Sequence, residues 1–117
     1  MSNSTISSDQ ELSHVGLPDD ARVQAAGSAK RGCAVQFAAR RTGEGLLVGF
    51  HAFGPVEIVM ICERLCRQWE ADQAVSAPPM PTLLASAGLG REWAGDLLIV
   101  VEAASGLAEQ LAAHSSN

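Results

Sequence analysis

Thiol and imidazole groups are the side chains of this sequence best suited to chemistry, and Cys33, His51, Cys62 and Cys66 are the ones placed where structure is expected. Cys62 and Cys66 are four residues apart, so a helix would carry both on one face, where their sulfurs could reach a common ion. With Cys33 or His51 brought alongside, the set offers the soft donors that a tetrahedral zinc or copper(I) site takes. The spacing lacks a CxxC pair, and both thiols share a stripe with Ile58, Leu65 and Trp69, where free cysteine usually serves as a buried apolar residue. Core packing is therefore the favoured role, and a thiol or metal sensor is the alternative. No cofactor or resident metal is expected.

A second constellation is electrostatic. Arg22, Lys30, Arg31, Arg40 and Arg41 put five positive charges into residues 22–41 with no acid among them, although the formal net charge of the chain is -5. Such a local basic face could hold phosphates or nucleic acid. Neither a recognition helix rich in Arg, Asn and Gln nor a spread of sheet aromatics accompanies it. Tyrosine is absent, and Phe37, Phe50 and Phe53 suit the core. The same charges would also keep the ends of a hairpin solvated and discourage edge-to-edge pairing.

His51 with Glu57 or Glu63 supplies the minimum for general acid–base work, but this is a pair of common residues with no motif around it. No nucleophile elbow or phosphate-binding glycine pattern is present, so no enzyme is expected. His14 and His114 fall in the polar ends and carry the least information.

The elements that must position these residues follow from composition and periodicity. With 117 residues, 47% of them hydrophobic and 18% charged against a usual value of about 25%, the chain makes one domain with a rather apolar surface. Residues 1–16 read as a disordered polar tail, 17–113 as a single small globular domain, and 114–117 as a frayed end. The odd number of cysteines, the lack of a basic-then-apolar leader and the lack of a long apolar run point to a cytoplasmic protein with reduced thiols and no membrane contact.

Pro18, Asp19 and Asp20 resemble a helix opening, which predicts a short helix through Ala26. Cys33 to Arg41 alternates apolar and polar residues as a strand does, Thr42 to Gly45 reads as a four-residue loop, and Leu46 to Phe53 forms the partner strand. From Pro55 to Gln73 apolar residues recur every three or four positions, which predicts one long helix, with Glu63 and Arg67 an i,i+4 pair. Ala74 to Pro81 is a stiff connection, and Thr82 to Ala87 makes a helical turn. Trp93, Leu97, Val101, Ala104, Ala108 and Leu111 share a helical face, while the compact run Leu97 to Val101 also suits a strand; helix is favoured, although Gly95 and Gly106 each weaken it by about 1 kcal/mol. The fold class is thus α+β: a β-hairpin packed on one long helix, with a C-terminal helix, or a strand plus short helix, completing a two-layer domain.

These features suit a non-enzymatic binding or regulatory protein acting through protein–protein contacts with a protein partner or itself, as a homodimer. A nucleic-acid-associated regulator using the basic residues, and a thiol or metal sensor, are the other classes.

Overall fold

A computed structural model describes residues 13–115, and the bulk of the polar tail lies outside the described residues. Three antiparallel strands, β1 (Arg22–Ser28), β2 (Cys33–Thr42) and β3 (Gly45–Phe53), form a sheet in the order β1-β2-β3. They are followed by helices α1 (Val56–Asp72), α2 (Met80–Ala87) and α3 (Ala94–Ser115), with a 3-10 turn over Arg91–Trp93. The protein is α+β, with the hairpin and the long helix where periodicity places them. Among the described residues, no helix is long and apolar enough to cross a membrane.

Alternation along β2 explains the layers. Cys33, Val35, Phe37 and Ala39 are buried on the face that meets the helices, with Leu46, Val48 and Phe50 of β3 beside them. Ile58, Ile61, Cys62, Leu65, Cys66 and Trp69 of α1 and Leu97, Val100, Ala104, Leu107 and Leu111 of α3 close the same core. Trp69 is fully buried, meets Phe37 edge-on at 4.8 Å between ring centroids, and donates its indole N–H to the Ser76 carbonyl at 2.8 Å. That bond satisfies the one polar atom of the ring, as a buried indole requires. It also fastens the extended connection after α1 to the core. Gln73, in the left-handed conformation at φ 58, ends α1.

Three expectations need correction. The short helix through Ala26 is replaced by β1, because Asp19 and Asp20 form a turn instead of a first helical turn: Asp20 has φ 60, and the Ala21 N–H donates to the Pro18 carbonyl at 3.3 Å. Arg22 to Ser28 then pairs with Ala39 to Cys33. Its small residues give a weak two-residue alternation that local reading overlooks, and the ladder to β2 supplies what propensity lacks. The expected four-residue loop is two residues, Gly43 and Glu44, since Thr42 still pairs with Gly45. The Thr42 hydroxyl accepts the Glu44 N–H at 3.1 Å and donates to the Gly45 carbonyl at 3.2 Å, which lets so short a turn close.

The third correction concerns Ser13 to Gly16, which composition assigns to the polar tail. Val15 bridges Phe50 in parallel, the Phe50 N–H donates to the His14 carbonyl at 2.9 Å, and the Gly16 N–H donates to the Phe50 carbonyl at 2.8 Å. The segment therefore covers the outer edge of β3. It then passes over the sheet face remote from the helices, because the Gly16 carbonyl occupies the space where a Cβ on Gly49 would lie. Ala38, paired with Gly49 on that face, is fully buried in consequence.

C-terminal helix α3 is continuous through the ambiguous run. Gly95 and Gly106, which weigh against a helix, are sites of close approach: the Arg31 guanidinium lies over Gly95 and the Gln24 side chain over Gly106. The helix thus runs antiparallel to β1 along its length. Gln110 fixes the far end by donating to the Gln24 side-chain oxygen at 2.6 Å and to the Val23 carbonyl at 3.0 Å.

Candidate functional site

The thiols and His51 fall on opposite sides of the sheet. Cys33, Cys62 and Cys66 are buried in the core between the sheet and the helices. His51 pairs with Gln36 on the other face and is exposed. Burial pushes the Cys62 and Cys66 thiols far up from their ordinary value, reinforced by the neighbouring thiols for Cys62 and by Glu63 and Glu70 for Cys66. Cys33 is raised as well, by burial first and then by Asp96. Thiols so held stay protonated near neutral pH and are poor nucleophiles and ligands. Among the described residues, no group of three or more His, Cys, Asp and Glu side chains is arranged to hold a metal ion.

The five basic residues separate into two groups. Arg22, Arg40 and Arg41 line one cleft of about 450 Å³ with Asp20, Ala21, Ala39 and Leu111. Lys30 and Arg31 sit in the β1–β2 turn, at the other end of a strand about 20 Å long. Arg31 there approaches Asp96 at 3.5 Å. Arg41 donates to the Gln73 carbonyl at 3.3 Å, whereas the buried Nε atom of Arg40 has no hydrogen-bond partner among the described residues.

Glu57 and His51 are both exposed, while Glu63 is only 4% exposed and turns to a partner that sequence reading set aside. Glu63 accepts the N–H groups of Ser13 (3.0 Å) and His14 (2.9 Å), the Ser13 hydroxyl (3.1 Å) and Arg67 Nε (2.8 Å). Its carboxylate also lies 2.6 Å from His14 Nδ1, and Glu70 lies 2.9 Å from His14 Nε2. A ring with a carboxylate at each nitrogen is held as the imidazolium. Nothing in the local pattern announces this, since His14 stands in a polar segment with no periodicity, and the one available signal was the apolar pair Val15 and Leu17 beside it.

The remaining feature is the free side of β1. Val23 is 40% exposed, Ala25 and Gly27 are exposed, and among the described residues no strand pairs with β1 opposite β2. From Val23 to Ser28 the strand carries no charge, proline or bulge of the kind that usually blunts an edge. On that side the Val23 carbonyl accepts Gln110 of α3 at 3.0 Å, so the unpaired stretch of the edge is Ala25 to Ser28.

Fold and surface together define a small α+β protein with buried thiols and, among the described residues, one sheet edge that no strand pairs with. No family model matches the chain, and no curated protein is similar to it.

Proposed function

We propose that this is a non-enzymatic, cytoplasmic binding or regulatory protein that acts through protein contacts, with the β1 edge as the contact. The observation that supports this reading is the edge of β1 from Ala25 to Ser28, beside which no described strand pairs and whose exposed Ala25 and Gly27 suit addition of a strand. Main-chain pairing would supply affinity, and the residues flanking β1 would supply selectivity. A photo-crosslinking side chain at position 25, introduced in the full chain in cells, tests it. A discrete protein adduct that disappears when Val23 and Gly27 are changed to Lys supports the reading. Absence of any adduct, or an adduct indifferent to those changes, overturns it.

A second reading is favoured by the unpaired Arg40 Nε: an anion, such as a nucleic-acid phosphate, held in the cleft of Arg22, Arg40 and Arg41. Binding of this kind must weaken steeply as salt rises, and Arg40→Glu must abolish it. Failure to shift any nucleic acid at low salt ends this reading.

A further inference from the structure

Residues 13–18 lie against the sheet without joining its core. Val15 is 55% exposed, and no residue from Ser13 to Pro18 belongs to the buried apolar cluster. The segment is held instead by polar ties of two kinds. Backbone pairs fix it to β3, the Phe50 N–H donating to the His14 carbonyl and the Gly16 N–H to the Phe50 carbonyl. Side chains of α1 fix it at His14, whose Nδ1 lies 2.6 Å from Glu63 and whose Nε2 lies 2.9 Å from Glu70.

The two carboxylates are not equivalent. Glu63 is buried and keeps four other donors whatever the state of the imidazole: the Ser13 and His14 N–H groups, the Ser13 hydroxyl and Arg67 Nε. Glu70 has a side chain 44% exposed and meets the segment through His14 Nε2. An imidazolium donates from both nitrogens, but a neutral ring donates from one and turns a lone pair to the other side. Loss of the proton therefore sets Glu70 against that lone pair, while Glu63 keeps the remaining ring N–H. The other charges nearby are Arg67 of α1 and Glu44 of the β2–β3 turn, which shares a surface depression with Glu70. The one titratable residue of β3 is His51, next to Phe50 in the chain.

We infer that residues 13–18 form a strap that opens as a unit separate from the core, with Glu63 its standing anchor and the His14–Glu70 contact the tie that titrates. Burial lowers the His14 pKa, but the hydrogen bonds and charges of Glu70 and Glu63 outweigh it, so the strap is tightest with His14 protonated. It opens more often as pH rises through that raised value. Opening bares the Phe50 N–H and carbonyl on the β3 edge, and with them Gly49 and Ala38, over which the segment passes. The device lies on the β3 side and does not depend on β1 being the contact.

Amide exchange of the full chain, followed by NMR in graded low urea and corrected for the intrinsic effect of pH, tests this. The Gly16 and Phe50 amides are expected to exchange through an opening that urea hardly promotes, because little surface is uncovered, whereas β2 amides follow global unfolding. From about pH 6 to about pH 8.5 the protection of Gly16 and Phe50 should fall about fivefold. Glu70→Gln removes the repelling charge and offers an amide N–H to the neutral ring, so the fall should shrink to about twofold or less. His14→Asn, which leaves nothing to titrate at this position, should abolish it. Gly16 and Phe50 amides that exchange only with global unfolding, wild-type protection that ignores pH, or a fall as large in Glu70→Gln as in the wild type overturns the inference.

Discussion

His14 Nδ1 lies 2.6 Å from Glu63 Oε2, and this contact fastens the N-terminal segment to α1 while the backbone of the same segment covers the edge of β3. One face of the sheet is thereby crossed by chain and one edge is occupied, which leaves β1 as the edge that, among the described residues, no other backbone segment pairs with. The latch and the proposed contact surface are thus at opposite sides of one sheet.

The latch should be pH dependent. Burial alone would lower the His14 pKa, but hydrogen bonds to Glu70 and Glu63 and their charges outweigh it and raise it above the ordinary 6.5. A raised pKa stabilises fully below the unfolded value and loses that contribution as pH rises through the folded one. Burial would likewise raise Glu63, yet His14, Arg67 and Ser13 hold it down to about 2, so its contribution is complete above 4.5 and is lost as pH falls toward about 2. The latch is therefore strongest between pH 4.5 and 6.5. Melting temperature should decline above that window, and His14→Asn should flatten the decline. An alkaline limb identical in both proteins would show that His14 is not the titrating group.

Replacing Glu63 by Gln keeps its shape and removes its charge. The N–H groups of Ser13 and His14 and the Arg67 guanidinium then face a weaker acceptor, which should cost about 1–3 kcal/mol in urea unfolding. Exchange of the Phe50 amide, which donates to the His14 carbonyl, should quicken selectively. Unchanged protection of Phe50 in this variant would mean that the bridge holds the segment without the ion pair.

Gly49 is expected to tolerate no side chain. A Cβ there meets the Gly16 carbonyl, so Gly49→Ala must push the N-terminal segment off the sheet at a cost of about 1–3 kcal/mol. Limited proteolysis should cut the variant near residues 13–20 sooner than the wild type. Equal cleavage rates would contradict the crossing of the segment over Gly49.

The thiols should be silent until the protein unfolds. Cys33, Cys62 and Cys66 are each buried and raised in pKa, so a thiol reagent at mildly alkaline pH should modify them slowly in native protein and rapidly in denaturant. Changing Cys62 and Cys66 together to Ala should lower stability by about 1–3 kcal/mol through lost packing, with no response to chelator. One tightly held metal per chain, released by that double change, would instead make the pair a binding site.

Much of the architecture was legible in the residues because it rests on strong local patterns. The alternation from Cys33 to Arg41 and the apolar stripe from Ile58 to Trp69 each name one buried face, and Gly54 with Pro55 marks the change from strand to helix. The burial of Cys62 and Cys66 follows from that stripe alone. What needed the tertiary structure has a common physical cause, namely that the deciding partner is far away along the chain. β1 exists because β2 offers it a ladder, although Asp19 and Asp20 imitate a helix start. Gly95 and Gly106 keep α3 close to Arg31 and Gln24 instead of breaking it. His14 matters through Glu63, 49 residues on, and His51 is parted from the cysteines because a sheet has two faces. The basic residues illustrate both halves: their presence between residues 22 and 41 is a property of the sequence, but antiparallel pairing sends Arg22, Arg40 and Arg41 to one end of the sheet and Lys30 and Arg31 to the other.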